Sequence, residues 1–279
     1  MSYTTLWEVP DGLWKKIERI LPKEKPIGSR GRPSLPNRQV LNGILFVLRS
    51  GCQWKGLKKE WYGASSSLHA RFQAWNKAGL WKKIFRVMVK YYHKKRHIKW
   101  RWQALDSKMV AAPLGGELTG PNPTDRAKIG SKRHILVDQR GAPLSVIISA
   151  ANTHDVTCAL ALLDKLIVPR PKTNRFIHHL CADKGYDSQP LRSKLLKRRL
   201  KPHIRKREYV SKLSQPALAA QKHPARRWVV ERTLSWQNDF RSLRVRWAKK
   251  PENWLAFIYL ACTFILWRLS SHVQFTDRL

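Results

Sequence analysis

The chain has 279 residues, 43% of them apolar and 13 of them Trp, which excludes wholesale disorder and allows about two domains at ~150 residues each. Its 55 Lys+Arg against 18 Asp+Glu leave a formal net charge of +37, a field that selects polyanionic partners and binds them in a salt-dependent way. Charge alone does not separate a histone-like or ribosome-like role from an enzymatic one.

Residues 1–97 read as a small all-α, helix-turn-helix-like domain. Asp11 is placed to cap a helix carrying Leu13, Trp14, Ile17 and Ile20 on one face, stopped by Pro22. Lys23 to Pro36 is rich in Pro, Gly and basic residues and reads as a loop. Within it, Arg30-Gly31-Arg32-Pro33 is similar to a motif that lays arginines into a narrow minor groove, with a plain basic loop as the alternative. Val40 to Leu48 is apolar nearly all round, so it reads as a buried helix ended by Gly51. Ser65-Ser66-Ser67 reads as a cap cluster before Leu68, Phe72 and Trp75. That helix turns Arg71, Gln73, Asn76 and Lys77 outward. Gly79 separates it from an amphipathic helix over Leu80–Tyr92. Short helices joined by tight turns, one with a polar outer face, suit DNA docking; an ordinary helical bundle with a solvated basic face is the alternative.

After a charged linker, residues 98–279 change texture. Trp100–Val110, Lys132–Val137 and Pro143–Ala150 read as strands, with a hairpin turn over residues 138–142. Asp155 is placed to cap a helix carrying Ala159, Leu162, Leu163 and Leu166. Phe176–Asp183 reads as a strand, Pro190–Leu200 as a basic helix and Pro202–Arg205 as a short strand. Trp228–Phe240 reads as a helix with Trp228 and Leu234 on its apolar stripe. Trp254–Trp267 is apolar but shorter than the ~20 residues that span a bilayer, so a core helix and no membrane partner are expected. Three strands, a crossover helix and a further strand give an α/β fold, an RNase H-like mixed sheet flanked by helices.

In such a sheet the first strand lies beside the strand after the crossover helix. Asp106 and Asp183 then project from adjacent strands, and a bound cation relieves their repulsion. Oxygen ligands select Mg²⁺, or Mn²⁺ in its place, over zinc. Glu231 is a third candidate ligand on the 228–240 helix, with a salt bridge to a neighbouring arginine as its alternative role. The adjacent His178 and His179 point to opposite faces of a strand and do not compete. Cys52, Cys158, Cys181 and Cys262 lack zinc-knuckle or redox spacing and read as reduced thiols. The N-terminus shows no basic-then-apolar leader, so a cytoplasmic, nucleoid-associated protein is expected. Metal-bound carboxylates inside a polycation point to an enzyme that cuts or joins nucleic acid.

Several segments in matching order carry a resemblance. They are Asp-Ser-Lys-Met-Val at 106–110, Gly-Ser-Lys-Arg-His-Ile-Leu-Val-Asp at 130–138, Ala-Asn-Thr-His-Asp at 151–155, Ala-Asp-Lys-Gly-Tyr-Asp at 182–187 and Val-Glu-Arg-Thr-Leu-Ser-Trp at 230–236. Together with Arg-Ser-Gly-Cys-Gln-Trp at 49–54, they resemble bacterial insertion-sequence transposases of the DDE class, IS-five-like branch. The resemblance covers essentially the whole chain. It implies that Asp106, Asp183 and Glu231 are the catalytic triad and hold two Mg²⁺ ions. It implies cleavage at terminal inverted repeats and joining of 3′ ends to target DNA. It also implies at least a homodimer in the DNA complex. In the C-terminal signature of the family an arginine four residues before the glutamate is matched by Arg227. The tyrosine seven before it falls at Pro224, and the lysine seven after it falls at Asn238. Candidate DNA contacts are Arg30, Arg32, Arg71, Lys77, Lys132, Arg133, Lys184, Arg227, Arg232, Arg241 and Arg244. A metal-dependent nuclease of the same fold and a non-catalytic basic DNA-binding protein are the rival functions.

Overall fold

The computed structural model describes residues 7–24, 26, 33–173, 175–205 and 226–271. The first part is helical: α1 (Asp11–Ile17), α2 (Asn37–Ser50), α3 (Lys59–Tyr62), α4 (Ser65–Lys77) and α5 (Leu80–Arg96). Gly51 ends α2 in the left-handed region at φ 71°, as its position predicts. Gly43, inside α2, lies against Leu68 of α4. A Cβ there would come within 2.2 Å of a Leu68 methyl, so any larger residue would have to push that buried side chain aside. Leu68, Phe72 and Trp75 are buried as their spacing predicts.

Two predicted caps are corrected. Asp11 is the first helical residue, not the cap, and its carboxylate pairs with Arg38 instead. The three serines lie inside α4, which starts after Ala64 without a side-chain cap. Arg30 and Arg32 lie outside the described residues, as does Pro224.

The second part holds β1 (Trp102–Ala111), β2 (Gly120–Pro121), β3 (Ile129–Asp138), β4 (Pro143–Ala150), α6 (Asp155–Asp164), β5 (His178–Ala182), α7 (Gln189–Lys197), β6 (Leu200–Ile204), α8 (Trp228–Asn238) and α9 (Pro251–Ser271). Six strands form one sheet in the order β2–β3–β1–β5–β6, with β4 also paired to β3. The β1–β3 and β3–β4 pairs are antiparallel, and β1–β5 and β5–β6 are parallel. This is the RNase H-like mixed sheet. Among the described strands sequence patterning missed only the two-residue β2, and among the helices it missed the short α3. It also carried the crossover helix past Leu166, whereas α6 stops at Asp164.

The strands alternate between two apolar layers. Leu105, Leu136 and Leu180 pack with Leu162, Leu163, Leu191 and Leu195 from α6 and α7. Ala104, Ile135, Val137 and Cys181 face the other way, into a cluster that also takes in residues of α1, α2, α4, α5, α8 and α9. The sheet and the N-terminal helices therefore share one core. At its centre lies α9, which at 21 residues is longer than its apolar run predicts and is long and apolar enough to cross a membrane, yet is mostly buried in this core. Its Phe257 stacks on Phe72 of α4 and its Tyr259 on Phe85 of α5.

One buried carboxylate ties the two parts. Asp138, at the end of β3, is fully buried. It accepts hydrogen bonds from the Tyr92 hydroxyl of α5 (3.0 Å) and from the backbone amides of Lys99 (3.0 Å), Arg140 (2.9 Å) and Ala142 (3.0 Å).

Candidate active site

Register brings the first two acids together. Trp102 pairs with His179, Gln103 with Leu180 and Ala104 with Cys181. Continuing that register two residues brings Asp106 level with Asp183, just past the end of β5, close enough that Asp183 acts on the Asp106 carboxyl. Both fall on the face of Ala104 and Cys181, the face that α8 covers. Each carboxylate accepts the amide of the residue that follows it: Ser107 N to Asp106 Oδ1 at 2.8 Å, Lys184 N to Asp183 Oδ1 at 2.6 Å. Burial pushes the Asp106 carboxyl up to about 6. The Ser107 amide and the Arg227 charge oppose the rise, and Asp183 and Asp155 add to it.

Glu231, in the first turn of α8, reaches this pair through an intermediary. Arg227 donates to Asp183 Oδ1 (3.0 Å) and to Glu231 Oε1 (2.8 Å). One guanidinium therefore joins two of the three predicted ligands. Among the described residues no group of three or more His, Cys, Asp or Glu side chains is arranged to hold a metal ion directly. The histidines stay apart from the acids: His178 bonds the Trp100 and Pro171 carbonyls, and His179 stacks on Trp102 at 4.2 Å and bonds His203. All four cysteines are free.

The basic candidates divide by exposure. Arg133 is 1% exposed and donates to the Leu243 carbonyl and to Asn238 Oδ1, so it has no face for a phosphate. Burial lowers its pKa to about 10. Asn238 stands where a lysine was expected, and a cation there would meet this buried guanidinium. Lys132 is also turned inward, donating to the Thr153 carbonyl and pairing with Asp155. Both expectations of a phosphate contact are corrected by these inward hydrogen bonds. Arg71 bonds Asn37 and the Leu35 carbonyl, and Arg232 bonds the Arg140 carbonyl and lies over Trp228 and Trp236. Lys77, Lys184, Arg241 and Arg244 are exposed. The stripe of α8 also differs by a residue: Val229, Val230, Thr233, Leu234 and Gln237 are buried, while Trp228 is exposed beside Arg232.

Asp155 is the residue that sequence patterning misassigned. It is the first helical residue of α6, and His154 holds the cap position. Its Oδ1 accepts the Ser107 hydroxyl at 2.8 Å and pairs with Lys132 Nζ at 3.1 Å. His134 completes the group, its Nδ1 3.9 Å from the same oxygen and its Nε2 2.8 Å from Ser149 Oγ. An acid just after a strand looks like a cap in sequence. The only hint of more was the polar trio Ser107, Lys132 and His134 on one face of paired strands.

His134 yields an expected pH effect. Burial, with Lys132 nearby, lowers its pKa from 6.5 to about 4 against the opposing pull of Asp155. The folded protein keeps His134 neutral where the unfolded chain takes up a proton, so its contribution is present above pH 6.5 and lost as pH falls towards 4. Urea unfolding across that range is expected to show acid destabilisation on the order of 1–3 kcal/mol. The pH slope should flatten in His134→Gln, and an unchanged slope would remove His134 as its source.

Residues 101–266 match the family profile described as "Transposase DDE domain". The chain belongs to the DDE transposase family. Residues 9–85 of this transposase match a second profile, "Putative transposase of IS4/5 family". It is 40% identical over 158 residues to "Putative transposase for insertion sequence element IS402" of Burkholderia cepacia, covering 55% of this chain and 70% of that one. It is 32% identical over 118 residues to a 16.2 kDa protein of the same insertion element, covering 41% of this chain and 80% of the relative. Among solved structures, a piggyBac transposase synaptic complex with hairpin DNA aligns at 10% identity and TM-score 0.48, covering 96% of this transposase and 73% of that chain. A pre-cleavage Mos1 transpososome aligns at 10% identity and TM-score 0.27, covering 88% and 83%.

Proposed function

We propose that this transposase cleaves DNA at the terminal inverted repeats of an insertion sequence and joins the freed 3′ ends to target DNA. Asp106, Asp183 and Glu231 are its catalytic carboxylates. The observation that carries this reading is that β1 and β5 run parallel side by side, bringing Asp106 level with Asp183 just past β5, while Arg227 joins Asp183 to Glu231 of α8.

The donor set fits a divalent cation. Its oxygens are all carboxylate, the choice of Mg²⁺ or Mn²⁺ over softer metals. Burial, with Asp183 and Asp155 adding to it, raises Asp106, and a cation, Arg227, sits between Asp183 and Glu231. When bound, a pair of Mg²⁺ ions supplies activation of a water or a 3′-hydroxyl and stabilises the departing oxygen. Asp106 would offer its carboxylate from the middle of β1 and Asp183 from the turn that follows β5. Glu231 joins them when Arg227 lets go, and that arginine is then free to meet a phosphate. The exposed Lys77, Lys184, Arg241 and Arg244 grip the DNA backbone, which positions it without reading sequence. The helical region 1–97 docks the DNA and the region 98–279 cuts it. The protein acts on nucleoid DNA in the cytoplasm, with at least two copies pairing the two ends.

The test is a strand-transfer assay. Labelled linear DNA carrying the sequences that flank the gene is incubated with the full chain, Mg²⁺ and a target plasmid. Joined products are expected. Cleavage without joining would leave a nuclease of the same fold, and DNA binding that persists without any cleavage would leave a non-catalytic DNA-binding protein.

A further inference from the structure

We propose that Asp155 is a positioning residue of the acid site, setting the spacing of Asp106 and Asp183 from the opposite face of the sheet. The inference rests on the reading of those two acids as cation ligands. Ser107 follows Asp106 in β1 and points to the other face, where it stands across from His134 of β3. There its hydroxyl donates to Asp155 Oδ1 at 2.8 Å, and Lys132 Nζ lies 3.1 Å from the same oxygen. The second oxygen faces the turn behind Asp183: a Cβ added at Gly185 would sit 3.9 Å from Asp155 Oδ2. One carboxylate therefore touches the strand that carries Asp106, touches β3, and backs the turn that starts at Asp183. Lys132 also donates to the Thr153 carbonyl at 2.8 Å, fastening the segment that leads into α6.

This arrangement differs from a helix cap and from a ligand. The cap position belongs to His154. Oδ1 already serves a hydroxyl and an ammonium, and Ser107 alternates with Asp106, so Asp155 acts through the strand. Fixing Ser107 fixes the twist of β1 at the point where Asp106 departs from it. Supporting residues of this kind, when lost, weaken metal sites by about 10- to 100-fold.

The experiment titrates Mn²⁺ into the full chain and reads free Mn²⁺ by electron paramagnetic resonance, with thermal unfolding as the check on folding. Asp155→Ala and Ser107→Ala are expected to bind Mn²⁺ about 10-fold more weakly, with midpoints of unfolding within a few degrees of the parent. Asp155→Asn keeps an acceptor for Ser107 and is expected to fall between Asp155→Ala and the parent. Ser107→Ala removes one hydrogen bond and no bulk, so it carries the test should Asp155→Ala fail to fold. Mn²⁺ affinity within twofold of the parent in folded Ser107→Ala overturns the inference. The outcomes separate it from the underlying reading. Weakened binding in Asp106→Ala with none in the Asp155 or Ser107 variants sinks only the positioning role. A parent chain that binds no Mn²⁺, or an Asp106→Ala variant that binds as the parent does, sinks both.

Discussion

Asp106→Asn is expected to reduce metal-dependent DNA cleavage by about 10³-fold or more, with DNA affinity within about twofold of the parent. Asparagine keeps the volume and can still accept the Ser107 amide, so the strand is undisturbed. What it removes is the charge, which the site needs to hold a cation. DNA affinity comes from the net charge of +37 spread over the chain, and a single acid hardly changes it. Asp183→Asn and Glu231→Gln are expected to behave alike. Because the three act as one unit, a double variant should be little worse than a single one. Single-turnover cleavage on gels, paired with mobility shifts at the same salt concentration, reads both quantities. Parental activity in any one variant removes that residue from the triad. Glu231→Gln is the most informative of the three, since its carboxylate now meets Arg227 and reaches the other acids only through that guanidinium.

The second large effect concerns stability. Asp138→Ala is expected to destabilise the fold by about 3–5 kcal/mol, the usual cost of breaking a buried charged hydrogen-bond group. Burial pushes the Asp138 carboxyl up, while the amides of Lys99, Ala142 and Arg140 and the Tyr92 hydroxyl pull it down. Alanine leaves those four donors facing a void. It also cuts the link between α5 and the β3–β4 hairpin, so fluorescence-monitored urea unfolding should shift to much lower denaturant. A loss under about 1 kcal/mol would mean that water reaches the orphaned donors. Asp138→Asn should be milder, because it retains one acceptor.

Much of this fold was legible because its apolar periods are clean. The buried faces of α2 and α4 and the β3–β4 hairpin follow from residue spacing, and the adjacency of β1 and β5 follows from the order of strands and crossover helix in an RNase H-like sheet. The facing of Asp106 and Asp183 needed only that adjacency. The rest depended on contacts between distant segments. Lys132 and Arg133 look like surface cations in a basic chain, yet Arg133 meets the Leu243 carbonyl 110 residues away. Nothing local marks an arginine that main-chain carbonyls will bury. Arg227 was legible as a signature residue but not as a bridge, since the bridge requires the turn after β5 to meet the start of α8. Trp228 was placed inside because it is large and apolar. Its flat ring instead lies along Arg232 at 4.8 Å, an arrangement that offsets its exposure.

The position of α9 has a consequence for how the molecule comes to exist. It follows every other described element in the chain, yet it fills the space between the first helices and the sheet. A ribosome releases α4 and α5 long before the surface they lean on has been made. A chain truncated before Pro251 is therefore expected to lose the packing of α4 and α5 against α9, which circular dichroism of the truncated chain would read as lost helix.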